Sequence, residues 1–151
     1  MKKNLAGVLS VAELQKIEDA VNKEVASLFR LGQRHLTFAK GLPKKEWRQR
    51  VSRLYYAGYN FRRAVQLKDS GSFSTDSSDH NNVDVLPQAF SANVEAHKAK
   101  LKDLRDDRNV ADYSHLAIAK DLRMTPADAE IFVVAFKADA QIFLKSKGVN
   151  L

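Results

Sequence analysis

The chain has 151 residues but no cysteine, and it is also poor in proline and glycine, with three and six residues respectively. The lack of cysteine excludes disulfide bonds, thiolate zinc sites and a cysteine nucleophile, and it suits a reducing compartment. No stretch approaches the roughly 18 apolar residues that a membrane span requires. We therefore expect a cytoplasmic protein without a membrane segment, whose chemistry comes from other side chains.

Several common catalytic signatures are also missing. The four histidines show no ligand spacing, such as two histidines four residues apart on a helix. There is no glycine-rich phosphate loop and no serine elbow. We therefore predict no metal and no cofactor.

Apolar residues recur every three or four positions along most of the chain, and no segment alternates as a strand does. The fold class is therefore predicted to be all-α, a single domain over residues 1–151 built as an up-and-down bundle of four long helices plus one short helix. We expect the long helices at about residues 11–39, 44–68, 91–112 and 125–147, and the short one at 83–90. Residues 69–82 are polar and without periodicity, which predicts a flexible loop in which His80 is solvated.

Two helix starts carry capping signals. Ser10 and Glu13 have the spacing of a capping box, which favours a helix there over a signal peptide. Thr125 is followed by Pro126 and Asp128, which predicts the start of the last helix.

One helix face in the third helix contains charged residues among apolar ones; it consists of Val94, His97, Leu101, Leu104, Arg108, Ala111 and His115. Burying an unpaired guanidinium costs several kcal/mol, so Arg108 should face a partner, a cleft or a subunit interface. An arginine beside a histidine suits phosphate chemistry, because one stabilises negative charge and the other moves a proton.

A plainer interpretation of these residues also exists. Arg108 has the spacing of an i, i+4 ion pair with Asp112, and Asp106 or Asp107 are further partners on a solvated helix end. His97 would then be a packed core histidine, and His115 would cap the helix.

The net charge of +7 is unevenly placed, because eleven basic residues and one acid, Glu46, lie between Arg30 and Lys68. Such a block fits a polyanion, RNA above all, or an acidic partner protein, and it also fits a solvated basic face. Tyrosines alternate with arginines in the second helix, a mixture that can stack on a single strand or belong to the core. The RNA-binding candidates are Arg48, Arg50, Arg53, Arg62, Arg63, Tyr55 and Tyr59.

Four short motifs follow one another between Glu46 and Lys147: Ser52-Arg53-Leu54-Tyr55-Tyr56-Ala57-Gly58-Tyr59 with Arg62-Arg63-Ala64, a polar loop with His80 before Val83, Arg108-x-x-Ala111-Asp112-Tyr113, and Pro126-Ala127-Asp128-Ala129. In this order they resemble the HEPN domain family. The resemblance implies a bundle of four to five helices that dimerises and, in many members, a metal-independent endoribonuclease.

Active HEPN members carry an arginine, often followed by a polar residue, and a histidine four to six residues further on. Arg108, Asn109 and His115 fit that pattern, with six residues between the arginine and the histidine. The resemblance implies that Arg108 stabilises charge while the RNA 2′-hydroxyl attacks the neighbouring phosphate, and that His115 moves the proton. Asn109 and Asp112 would position them, and Tyr113 completes the motif.

Two functions follow from the resemblance. The first is an endoribonuclease of toxin or antiviral-defence type, a homodimer neutralised by a partner such as a nucleotidyltransferase-like antitoxin. The second is a non-catalytic module that binds RNA, a nucleotide or a partner protein, because members with the Arg-x-x-Ala-Asp-Tyr form often lack the histidine. A third possibility, a plain helical adaptor for an acidic protein, applies only if the resemblance is accidental. In the pattern of the active members, cleavage predicts that the two Arg108 and two His115 side chains of a dimer converge on one cleft.

Overall fold

The computed structural model describes residues 7–71 and 77–151, and over these ranges it is helical without strands, as predicted. The four long helices are α1 (Val11–Gly41), α2 (Trp47–Ser70), α3 (Val94–Tyr113) and α4 (Pro126–Ser146). Two short 3-10 helices occur at Ser77–Asn82 and Ala119–Asp121. None of the helices in these ranges is long and apolar enough to cross a membrane.

The predicted helix starts are confirmed by their caps. The Ser10 backbone N–H donates to the Glu13 carboxylate, and the Glu13 N–H donates back to the Ser10 hydroxyl, which completes the capping box of α1. At α4, Thr125 accepts from the Asp128 N–H at 3.1 Å, with Pro126 in the first turn.

Helix α2 lies at the centre of the bundle and packs against each of the other three. Its apolar stripe is buried as predicted, through Val51, Leu54, Gly58, Phe61 and Val65. A Cβ placed on Gly58 would lie 3.4 Å from Leu101 in α3 and 4.0 Å from Val133 in α4. A methyl group at this position would therefore make ordinary van der Waals contacts with both helices.

The contacts between helix ends show that packed helices run antiparallel, as in an up-and-down bundle. Lys68, at the end of α2, contacts Glu18 near the start of α1, and Arg48, at the start of α2, reaches the carbonyl of Ala111 at the end of α3. In the same way His97 in α3 lies 2.7 Å from Asp139 late in α4. Buried His97 is thus a packed core residue.

The short helix was predicted at the wrong place. Residues 83–90 form turns, whereas the short helix is the 3-10 helix Ser77–Asn82. Val83, Leu86 and Phe90 are buried with a helix-like spacing. Pro87, however, lacks the backbone N–H that a helix would need at that position.

The predicted loop 69–82 is also shorter than expected. α2 continues to Ser70, and residues 77–82 are helical; residues 72–76, which belong to the same prediction, lie outside the described residues. In the 3-10 helix Ser77–Asn82, the carboxylate of Asp79 is buried against α2.

Gly32 marks the closest crossing of α1 and α2. A Cβ at this position would lie 2.6 Å from the buried ring of Phe61 and 3.0 Å from the carbonyl oxygen of Ala57. The crossing therefore has no room for even a methyl group.

We predict that Gly32→Ala lowers the free energy of unfolding by about 1–3 kcal/mol, because overpacking outweighs the gain in helix propensity. Urea denaturation measures this change. Gly41→Ala is the control, since nothing lies within 4 Å of a Cβ at Gly41. A Gly32→Ala protein as stable as the Gly41→Ala protein would contradict the close crossing.

Candidate functional site

A buried ion pair fastens the 3-10 helix to α2. Arg62 and Asp79 are only 2% and 3% exposed, and Arg62 Nη1 lies 3.1 Å from each oxygen of the Asp79 carboxylate. The Tyr59 hydroxyl donates to the same carboxylate at 2.8 Å, and Arg62 Nε donates to the carbonyl of Val85. The pair fixes the residue that follows Asp79, which is His80.

His80 is held between tyrosines of α2 and is not the solvated loop residue that the sequence predicted. Its ring stacks on Tyr59 with centroids 4.6 Å apart, and its Nδ1 lies 2.5 Å from the Tyr55 hydroxyl oxygen. The prediction failed because it depended on local composition, whereas the ion pair of Asp79 draws the segment onto α2.

Arg108 of α3 lies against the same tyrosines. Its Nη2 donates to the Tyr56 hydroxyl at 2.9 Å, and its Nη1 donates to the Asn109 side-chain oxygen at 3.1 Å. Nε lies 2.8 Å from Asp112 Oδ2, so the i, i+4 ion pair is confirmed. The guanidinium carbon lies 5.2 to 5.8 Å from the ring centres of Tyr55, Tyr56 and Tyr113, within cation–π distance.

These side chains surround an open cavity of about 640 Å³, which is lined by Tyr55, His80, Asn81, Arg105, Asp106, Arg108, Asn109 and Tyr113. Arg105 pairs with the neighbouring Asp106, and Arg108 pairs with Asp112 but keeps one N–H on each of Nη1 and Nη2 without a hydrogen bond to the described residues. The cavity has the size and polarity to take a phosphate group and the nucleotide attached to it.

Burial, followed by the charge of Arg108, holds the pKa of His80 below its ordinary value of 6.5. Burial, followed by the neighbouring Tyr59, raises the pKa of Tyr55 well above its ordinary value. Burial and the hydrogen bond to Asp79 raise the pKa of Tyr59 to about 12. At neutral pH the cavity therefore presents a neutral imidazole and neutral phenols beside a cation.

Most of the predicted motif residues meet at this cavity, but His115 does not. Arg108, Asn109 and Tyr113 line it, and Asp112 pairs with Arg108. α3 ends at Tyr113, so the chain leaves the helical stripe before His115, whose side chain is exposed. The alternation of three and four residues therefore holds only as far as Ala111.

The neighbouring carboxylates have other partners than Arg108. Buried Asp107 accepts the backbone N–H groups of Arg123 and Met124 at 2.7 and 3.0 Å, which fixes the turn before α4. Asp106 pairs with Arg105 and Arg123.

Three of the predicted RNA-binding arginines are committed to contacts inside the protein. Arg48 donates to carbonyls at the end of α3, including those of Ala111 at 2.8 Å and Ala117 at 2.6 Å. Arg50 pairs with Glu130 of α4, and Arg62 holds Asp79. Their contribution is to packing and capping rather than to a free basic surface.

The other predicted RNA-binding residues differ in exposure. Arg53 is exposed, and its guanidinium lies 5.2 Å from the ring centre of Phe38. Arg63 lies over the ring of Tyr59 at 5.4 Å. Tyr55 and Tyr59 are buried, so they form the floor of the site rather than a stacking surface.

Sequence reasoning missed His80, Arg105 and Asn81 as lining residues. The available signal was the position of His80 in the motif pattern, between the tyrosine-rich helix and Val83.

Within residues 7–71 and 77–151 no cluster of histidines and carboxylates suitable for a metal ion occurs. Comparison with known proteins finds no matching family model, no similar curated protein and no similar solved structure.

We predict that Asp79→Asn lowers the free energy of unfolding by about 3 kcal/mol or more, because it leaves the charge of Arg62 buried without its counterion. Urea denaturation at neutral pH measures the change. Asp84→Asn is the matched control, since Asp84 pairs with the exposed Lys102 and such a surface pair is worth about 0–1 kcal/mol. Similar losses in the two variants would contradict the anchoring role of Asp79.

We predict that Arg108→Gln raises the pKa of His80 toward 6.5 without reaching it, because burial remains the larger cause of the shift. NMR titration of the histidine ring signals measures this change, with Arg123→Gln as the control. In the wild type the unfolded chain takes up the His80 proton first as pH falls, so the folded state loses stability as pH drops below the ordinary histidine value. An unchanged His80 pKa in Arg108→Gln would contradict their electrostatic contact.

Proposed function

We propose that the protein is a metal-independent endoribonuclease in which Arg108 and His80 act on the same RNA phosphate. The observation that carries the proposal is the shared cavity, where a charged guanidinium and a neutral imidazole face the same space. Of the five N–H donors of a guanidinium, two of Arg108's form hydrogen bonds with the described residues. Nε is buried against Asp112, so one N–H on Nη1 and one on Nη2 remain for phosphate oxygens.

The proposed reaction is an internal transfer at phosphorus. His80 Nε2 accepts the proton of the RNA 2′-hydroxyl while its Nδ1–H donates to the Tyr55 oxygen. The 2′-oxygen then bonds to the adjacent phosphorus, and the bond from phosphorus to the 5′-oxygen breaks. The leaving 5′-oxygen takes a proton from water, the hydroxide so formed takes the proton back from His80, and a 2′,3′-cyclic phosphate remains. Arg108 stabilises the additional negative charge on the phosphorane oxygens.

The arrangement supports His80 as the proton-transfer group in place of His115. A depressed pKa keeps His80 largely neutral at physiological pH, which is the form that a general base requires. Tyr55, whose own pKa is raised, stays protonated and orients the imidazole.

The exposed position of His115 favours a second candidate function. If His115 were the histidine required for cleavage, its distance from the cavity would leave Arg108 as a phosphate-binding residue only. The protein would then be a non-catalytic module that binds RNA, a nucleotide or a partner protein.

Homodimerisation and a nucleotidyltransferase-like antitoxin remain proposals, as does a toxin or antiviral-defence role. Tyr113, which lines the cavity, is exposed, as are Leu116 and Ile118, which follow it in the chain, and these apolar side chains support a homodimer contact. The proposed chemistry needs only one chain, because Arg108 and His80 of the same chain share the cavity.

We predict that purified protein cleaves mixed cellular RNA in EDTA, and that Arg108→Gln and His80→Gln each lower the rate by at least about 100-fold. His115→Gln, which changes an exposed histidine that does not line the cavity, should retain the activity. Gel analysis of the fragments and detection of cyclic phosphate ends measure the reaction.

The outcomes separate the candidates. Loss of activity in His115→Gln with retention in His80→Gln would assign the proton transfer to His115. RNA binding without cleavage by the wild type would favour the non-catalytic module. Circular dichroism of each variant establishes that it is folded.

A further inference from the structure

We propose that single-stranded RNA binds along a surface that leads from the Arg108 cavity across α2 to α1, where Phe38 stacks on a base. We call this surface the α1–α2 track; it consists of Arg30, Arg34, Phe38 and Arg53. Its part in delivering RNA to Arg108 rests on the proposed function, whereas the binding itself does not.

Phe38 is the main reason for this assignment. Its side chain is 53% exposed on α1, and the guanidinium of Arg53 lies 5.2 Å from its ring centre. Its other neighbours in a shallow pocket are Arg30, Gln33, Arg34 and Thr37. An exposed aromatic ring among cations offers a base a stacking surface and its phosphates a counter-charge.

Direct side-chain contacts connect Phe38 to the cavity. Arg53, which contacts Phe38, lines a second pocket of about 530 Å³ together with Ser52, Tyr56 and Asp112. Tyr56 in turn accepts the hydrogen bond from Arg108. These contacts link the pockets on α1, on α2 and around Arg108 in sequence.

The charge of the track favours a polyanion over a second copy of the chain. Arg30, Arg34 and Arg53 form no ion pair with the described residues, and Glu46 is the one acid of the basic block. Burial, followed by the charges of Arg53 and Arg34, lowers the pKa of neighbouring His35. Two copies joined through this surface would place like charges together.

A single strand fits better than a duplex or an acidic peptide. Bases in a duplex are already stacked and paired, so Phe38 would have no free base to contact. The carboxylates of an acidic peptide would satisfy the arginines but would not stack on Phe38. In an unpaired strand every nucleotide supplies both a phosphate for the cations and a base for the aromatic ring.

The test is fluorescence anisotropy with a labelled 2′-O-methyl oligouridylate, which cannot react through a 2′-hydroxyl. We expect Phe38→Ala to weaken binding on the order of tenfold, since stacking on an aromatic ring is typically of that size, and Phe38→Trp to preserve it. Ile142→Ala is the control for an exposed apolar side chain on α4. Inorganic polyphosphate, which has charge but no bases, should bind wild type and Phe38→Ala equally.

The contribution of the arginines is measured separately, through the salt dependence of binding. Arg34→Gln and Arg53→Gln should each weaken binding and reduce the salt dependence by about one counterion, whereas Lys16→Gln, near the other end of α1, should not. Wild-type affinity in Phe38→Ala, or no oligouridylate binding by the wild type, would overturn the track. Phe38-dependent binding without cleavage of ordinary RNA would refute the nuclease and leave the track in place.

Discussion

The geometry of the candidate site depends on the buried ion pair between Arg62 and Asp79. Removing both charges from water is unfavourable, and the pair is tolerated because the Asp79 carboxylate also accepts from Tyr59 while Arg62 donates to a backbone carbonyl. Asp79 immediately precedes His80, so the contact that neutralises the core arginine also places the imidazole against the tyrosines. A stabilising contact and a residue of the candidate site are thus adjacent in sequence.

Helix α2 supplies both the core and the floor of the cavity. One of its faces buries the apolar stripe, and the adjacent face carries Tyr55, Tyr56 and Tyr59, which contact His80 or Arg108. Because three other helices pack on α2, these tyrosines are fixed in direction. A rigid tyrosine floor holds the imidazole and the guanidinium in place without a metal ligand in either contact.

Much of the fold follows from periodicity, because the buried stripes of α2 and α4 and the capping residues are local features of the sequence. The site follows only in part. Arg108 and Asp112 pair within one helical turn, so the sequence predicts their contact. Asp79 and Arg62, by contrast, lie 17 residues apart in different helices, and Arg48 reaches carbonyls more than sixty residues away. Such partners exist only after the helices have packed.

The basic block shows that many basic residues in a stretch of sequence need not form an equally basic surface. Arg48, Arg50 and Arg62 hold the bundle together, and their partners neutralise them or satisfy their donors. Arg30, Arg34 and Arg53 retain their charge toward solvent. Arg108 lies between these two classes, because Asp112 and the tyrosine rings make its burial tolerable while the residue still lines the cavity. The ion pair with Asp112 uses Nε, and the hydrogen bonds to Asn109 and Tyr56 each use one N–H of Nη1 and Nη2. One N–H on each of these two nitrogens is therefore left for another acceptor.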